Sequence, residues 1–343
     1  MAGWIRRALL LIGLVGGAVA SGGAVKAAGA AEPTPLRVTV PVPALSVYPL
    51  MVAKDQGFFA DQGYDVEIIV TNGDGPDVDA LISGSVDFTV STPNRLFSAS
   101  AQGKKLLAAM NLLNRMTLDC VVNAASAKRA GITPAMTLEE KLPRLKGMTI
   151  AGTRPGAATY LLAEYYVRLA GFEPQREVRV VGIGGPSSLV PAVENGRVDV
   201  ACGASPVPEF PVYHGKGVAL TDNTGGADPA FDDMLWELLY VRPDYAAAHP
   251  DRVRGVARAL AAAIHWIRTT LPDQQLPELH KRFAGIPDDL LVPVVSRMVP
   301  AFKEGGEITE AEVDRAAAFL IKTGAIERAP HWDEVATNAY LGP

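Results

Sequence analysis

The feature that most constrains the fold is a long-range internal repeat. The stretch SGSVDFTVSTP (Ser83–Pro93) returns as NGRVDVACGASP (Asn195–Pro206). Extended backwards, the copies read YDVEIIVTNGDGPDVDALISGSVDFTVSTP and REVRVVGIGGPSSLVPAVENGRVDVACGASP. Each holds a β-rich run, a Gly-Pro turn (Gly75-Pro76, Gly185-Pro186), a short amphipathic helix ended by Gly84 or Gly196, an Asp-bearing strand and a Pro. Pro at the first helical position and Gly just past the last are standard helix punctuation.

A second pair lies further upstream. LRVTVPVPALSVYPLMVAKDQGFFADQG and MTIAGTRPGAATYLLAEYYVRLAGFEPQ both read strand, loop, helix, turn. Each half is therefore strand-helix-strand-helix-strand, which implies parallel sheets covered on both faces. Two copies at so long a period exclude a solenoid and give two similar α/β lobes.

The join implies a hinge. The extended run Asn111–Ala125 leaves the first lobe, and Lys216–Asn223 is a strand able to return to it. Two crossing strands between two lobes make a hinge and a cleft. The expected boundaries are lobe 1 at 36–118 and 219–343, and lobe 2 at 119–218. From Asp244 onward the pattern is mostly helical, with Thr309 and Glu312 forming a capping box, and these helices are assigned to lobe 1.

Before the first strand, Arg6 and Arg7 precede the uncharged run Ala8–Val25, and small residues lead to Ala28-Gly29-Ala30. This is the pattern of a secretory signal peptide over 1–30, cleaved after Ala30, and it places the mature chain in the periplasm with no membrane insertion. No Cys stands near that cleavage site, so a lipid anchor is not supported. Cys120 and Cys202 both stand in apolar strand-like runs. A disulfide in an oxidising compartment and two buried free thiols both fit that setting.

In open α/β sheets, ligands bind outside the carboxyl ends of the strands, where helix N-termini gather. In the first lobe the repeat puts Ser46-Val47-Tyr48, Asp74-Gly75 and Thr92-Pro93-Asn94 at such ends. In the second it puts Gly156-Ala157-Ala158-Thr159, Gly185-Ser187-Ser188 and Ser205-Pro206-Val207 there. If the lobes face each other, these stretches meet across one cleft, a setting for a small anion or polar molecule. Arg154 and Arg95 border the loops and would supply charge to a carboxylate or sulfonate; Tyr48, Tyr160, Phe97, Tyr213 and Trp236 would wall the pocket.

Other functions lack their signatures. His214, His249, His265, His280 and His331 are scattered, and none has a partner at metal-ligand spacing. There is no G-x-S-x-G elbow and no P-loop, and GIGGPS breaks the dinucleotide-loop spacing. No catalytic, metal or cofactor site is therefore expected. A net charge of -5 without a basic stripe argues against nucleic acid. Asp87 and Asp199, the repeated acids, are read as structural groups that bond nearby backbone.

The segments GFFADQGYDVEI, GDGPDVDALISGSVDF, STP, AQGKKL, LKGMTIAGTRPGAATYLL and AVENGRVDVACGASP, with the C-terminal ITEAEVDRAAAFLIKTGAI, resemble a known family. It is that of the solute-binding proteins of nitrate/sulfonate/taurine-type ABC importers, which includes pyrimidine-precursor binding proteins of thiamine metabolism. The resemblance implies a type II periplasmic-binding-protein fold. It implies a monomer that captures a small ligand between closing lobes and delivers it to a permease and ATPase complex. It points to Ser46, Val47, Tyr48, Gly73–Gly75, Thr92, Asn94, Gly156, Ala158, Thr159, Gly185–Ser188 and Ser205 as ligand loops. The cysteine-rich motif of the pyrimidine-synthase branch is absent, and TRPGAAT replaces a common Gly-Ser pair. A sensor-kinase receptor and an enzyme on the same fold are the rival readings.

Overall fold

The computed structural model describes residues 32–73 and 75–342, so the expected signal peptide and Asp74 lie outside the described residues. The first half runs β1 (Thr34–Val40), α1 (Tyr48–Asp55), α2 (Phe58–Asp61), β2 (Tyr64–Val70), α3 (Pro76–Ile82), β3 (Phe88–Ser91), α4 (Pro93–Ala101) and β4 (Leu107–Arg115). The chain then crosses through Met116-Thr117 into the second half. There it forms β5 (Leu118–Asn123), α5 (Ala124–Ala130), α6 (Leu138–Lys141), β6 (Thr149–Gly152), α7 (Ala158–Leu169), β7 (Arg179–Gly182), α8 (Pro186–Glu194), β8 (Val200–Ala204), α9 (Glu209–Tyr213) and β9 (Gly217–Ala219). It returns through residues 220–231 to β10 (Asp232–Val241) and continues as α10 (Pro243–Ala248), α11 (Pro250–Thr269), α12 (Leu276–Phe283), α13 (Asp288–Met298), α14 (Glu310–Thr323) and α15 (Trp332–Val335).

The repeat is visible in the two sheets. Their strand orders, β2-β1-β3-β10-β4 and β7-β6-β8-β5-β9, are the same pattern. In each, three parallel strands come first and a strand arriving from the other lobe pairs antiparallel beside them. This corrects the all-parallel expectation. An arriving strand enters at the cleft, where the parallel strands end, so it runs opposite to them.

Sequence punctuation sets the local elements. Helices α3 and α8 start at the prolines of the Gly-Pro turns. Gly84 and Gly196 follow them with φ of 76° and 66°, a region that favours glycine. Thr309 and Glu312 close both bonds of the capping box of α14. Helix α11 buries Val253, Val256, Leu260, Ile264 and Ile267, which recur at helical spacing, and packs against α1.

The repeated acids have the same job in both lobes. The Asp87 carboxylate accepts from Arg37 N–H at 2.8 Å, and Asp199 accepts from Thr149 N–H at 2.9 Å. In return each Asp donates its own N–H to the same residue's carbonyl. Each acid thus joins the start of its strand to the neighbouring parallel strand, as the sequence reading had it.

Cys120 and Cys202 stand directly opposite each other on antiparallel β5 and β8 and form a disulfide. The bridge is buried in the second lobe. It decides between the two states left open by the sequence.

The C-terminal helices cover more than the first sheet. Helix α14 packs on β10 and also on α7, where Phe319 meets Tyr165 at 5.5 Å between ring centres and Phe231 at 5.7 Å. Helix α13 likewise reaches α9 of the second lobe. Among the described residues no helix is long and apolar enough to cross a membrane.

Candidate functional site

A cavity of ≈ 60 Å³ lies between the lobes at the carboxyl ends of their parallel strands. By that measure a water needs about 10–15 Å³, so the space suits a solute of a few non-hydrogen atoms. From the first lobe it is lined by Pro41 and Val42 after β1, Ser46, Asn72 and Gly73 after β2, and Thr92 after β3. The second lobe supplies Thr153 and Arg154 after β6, Ala157–Thr159 at the start of α7, Gly184–Pro186 and Leu189 around the start of α8, and Gly203 and Ala204 at the end of β8. Thr117 and Leu118 come from the first crossing, and Trp236 and Glu237 from β10.

Helices α4, α7 and α8 all begin at this cavity. Their N-cap residues Thr92, Ala157 and Gly185 make no side-chain cap. Side-chain caps are found at α5, α6 and α14, from Asn123, Thr137 and Thr309, while α1–α3 and α9–α13 also start without one. Helix starts concentrate partial positive charge at the cavity.

Two charged side chains sharpen this. The Arg154 guanidinium reaches across to the first-lobe loop, where its Nη1 lies 2.7 Å from the place a Cβ would occupy on Gly73. Gly73 also has φ of 145°, so this close approach depends on glycine. No carboxylate of the described residues pairs with Arg154. From β10, Glu237 brings to the lining a carboxylate that is only 2% exposed. Its neighbour Trp236 is fixed by an Nε1–H bond to Thr117 Oγ1 at 3.2 Å. Within the second-lobe loop, Thr159 Oγ1 accepts from Thr153 N–H at 2.9 Å and holds the Arg154 turn.

The lobes are closed on each other. Asn94 Nδ2 donates to Gly156 O at 3.1 Å across the cleft, while its Oδ1 accepts from Thr92 Oγ1–H at 2.5 Å. Asn94→Ala should cost about 1 kcal/mol of closure, the value of one such bond, and weaken any ligand about fivefold. Energy transfer between dyes on the two lobes would read this as a rise in the open fraction; an unchanged fraction would remove Asn94 from the latch.

Of the residues singled out from the sequence, Ser46, Gly73, Thr92, Arg154, Ala157, Ala158, Thr159, Gly185, Pro186 and Trp236 line the cavity. Val47, Tyr48, Gly75, Asn94, Gly156, Ser187 and Ser205 do not. Val47 and Tyr48 are buried in the first-lobe core. Burial first, then the Glu278 and Asp55 charges, push the Tyr48 hydroxyl well above the usual tyrosine range. Gly75 lies under the Arg95 side chain at the rim, and Ser187 is exposed on the outside of α8. Ser205 donates to Glu209 Oε1 at 2.7 Å, and Ala204, not Ser205, lines the cavity with Thr92. Of the other aromatics, Phe97 is core, and Tyr160 and Tyr213 lie outside the cavity.

Among the lining residues that sequence reasoning missed are Asn72, Thr117, Leu118, Gly203, Ala204 and Glu237. Glu237 had a signal: it is the one charged residue inside the apolar run Met234–Val241. Among the described residues no group of acids, His and Cys could hold a metal ion.

The chain belongs to the NMT1-like family, whose sequence profile matches residues 29–279. Among curated proteins it is similar to the putative binding protein YtlA of Bacillus subtilis, 25% identical over 82% of this chain and 80% of that one. It is also 25% identical to the nitrate/nitrite binding protein NrtA of Synechocystis, over 64% of this chain and 50% of that one. The bicarbonate-binding protein CmpA of Synechococcus elongatus matches at 21% identity over 78% of this chain and 62% of its own length. The chain spans only 36% of the bicarbonate transport ATP-binding protein CmpC of Synechocystis.

Solved structures share the fold. The periplasmic nitrate-binding protein NrtA from Synechocystis superposes with TM-score 0.72 at 17% identity, covering 90% of this chain and 87% of that one. The periplasmic aliphatic sulphonate binding protein SsuA from Escherichia coli gives 0.68 at 16% identity, covering 90% and 99%. The two-lobed α/β architecture is therefore that of the periplasmic binding proteins.

Proposed function

We propose that this chain is a periplasmic solute-binding protein that captures a small oxyanion or carboxylate between its lobes and delivers it to an ABC importer. The observation that carries the reading is the cavity itself. Three helix starts and the Arg154 guanidinium converge on a space for a few non-hydrogen atoms. The relatives named for nitrate, bicarbonate and sulphonate support the same class of ligand.

Glu237 narrows the ligand. A fully deprotonated anion with no donor would meet a buried carboxylate on one wall, which costs binding energy. A carboxylate has about four acceptor positions, so a ligand hydroxyl or ammonium would be held there. The ligand is therefore two-ended, with negative oxygens toward Arg154 and the helix starts and a hydrogen-bond donor toward Glu237. No His or Cys lines the cavity to serve as a nucleophile or base, which favours binding over turnover.

Glu237→Gln tests the reading. It should weaken a donor-bearing oxyanion such as bicarbonate or taurine by about tenfold and strengthen nitrate, judged by calorimetry. Equal changes for both ligand types would show that Glu237 does not select.

A further inference from the structure

Beside the hinge, α13 of the C-terminal helical layer meets α9 of the second lobe. Arg297 on α13 makes two ion pairs there, with Glu209 of α9 at 2.7 Å and with Asp222 of the second crossing at 2.7 Å. Tyr213 of α9 donates to Asp289 of α13 at 2.9 Å. These contacts join the C-terminal helical layer to the second lobe, beside the expected hinge.

Glu209 is an unusual partner for such a contact. Its side chain is only 13% exposed, and Oε2 is buried with no hydrogen-bond partner among the described residues. Oε1 accepts from Ser205 Oγ–H, and Ser205 directly follows the cavity-lining Ala204. The charged groups around it are Asp119 on β5, Asp222 on the crossing, and Arg297 and Asp289 on α13; Tyr213 lies on its own helix. Asp119 is committed to the hinge, where it accepts from Thr221, Asn223 N–H and Thr224 N–H. One arginine thus faces a group of carboxylates, and one of those carboxylates has an oxygen left over.

We propose that Glu209 and Arg297 form a proton-linked latch between the lobes, in which closure of the cleft takes up a proton at Glu209. The chemistry follows from the setting. Burial first, then repulsion from Asp119, push the closed-state carboxyl up to about 7, against the pull of the Ser205 bond and Arg297. Opening draws α13 from α9 and wets the carboxyl, which returns toward the ordinary value of about 4.3. A group with the higher pKa in the closed state binds protons more tightly there. Falling pH through the window between those values therefore favours closure, and rising pH favours opening. The closed-to-open ratio should change about tenfold between pH 8 and pH 6. Protonated Glu209 leaves Arg297 its pair with Asp222, so the joint keeps one ionic contact throughout.

The latch rests on hinge motion of the lobes, as the proposed function does, but its test needs no ligand and so can fail separately. Dyes on exposed positions of the two lobes would report the lobe separation of the ligand-free chain by energy transfer, from pH 5.5 to 8. The native chain should open as pH rises, with a one-proton midpoint near neutrality. Glu209→Gln should flatten that profile, while circular dichroism shows it folded. Arg297→Gln removes the cation that lowers the Glu209 pKa, so it should move the midpoint to higher pH. A native chain with no pH response, or the same midpoint in all three proteins, would overturn the latch.

Discussion

Replacing both Cys120 and Cys202 with alanine should lower the unfolding free energy by about 4 kcal/mol. The bridge closes a loop across a sequence separation of 82, and the loop-closure entropy removed from the unfolded chain is of that size. For a chain of this length the melting temperature should drop by roughly 6 °C. The bridge joins β5, which arrives from the first lobe, to β8, which ends at the cavity wall. Its loss should therefore loosen the second lobe before the first. Hydrogen exchange would show this as faster exchange in β5, β8 and β9 with β1–β3 unchanged. A melting temperature within about 2 °C of the native one would mean the pairing of the strands, not the covalent bond, supplies the stability.

The second large effect concerns Arg154. Arg154→Ala should weaken ligand binding by on the order of a hundredfold, the usual cost of removing a charge-assisted bond from a closed site. Arg154→Lys should recover only part of this, because a lysine offers a point charge without the planar fork. Folding should be untouched, since Arg154 is exposed and pairs with no described carboxylate. A full-strength Arg154→Ala complex would move the anion away from the β6–α7 loop.

Much of the architecture was legible in the sequence because it is locally encoded. The Gly-Pro turns, the glycines at helix ends and the paired acids Asp87 and Asp199 each act within their own repeat. What stayed hidden depends on pairing between distant segments. The arriving strands β5 and β10 join sheets built mainly by the other parts of the chain. Their residues Leu118, Trp236 and Glu237 reach the cavity only through that exchange, and of these only Trp236 was anticipated.

Where the cavity lining departs from the residues grouped by sequence, the cause is similar. At Ser46–Tyr48 the chain turns from a short 3-10 segment into α1, so Ser46 faces the cavity and Tyr48 faces the core. Consecutive residues of a loop were grouped together, although a tight turn sends them in different directions. Ser205 was matched to Thr92 by the repeat. The buried Glu209, which has no counterpart in the first copy, holds its hydroxyl instead.

The central claim is that one small, two-ended anion is held between closed lobes. Titration calorimetry of the native chain tests it most directly, with bicarbonate, taurine, small hydroxy and amino acids, nitrate and ethanesulfonate as the panel. The account predicts one-to-one binding at micromolar Kd or tighter for at least one donor-bearing member, and much weaker binding of nitrate and ethanesulfonate. Binding of those two as tightly as any donor-bearing member, or no heat from any member at millimolar concentration, would contradict it.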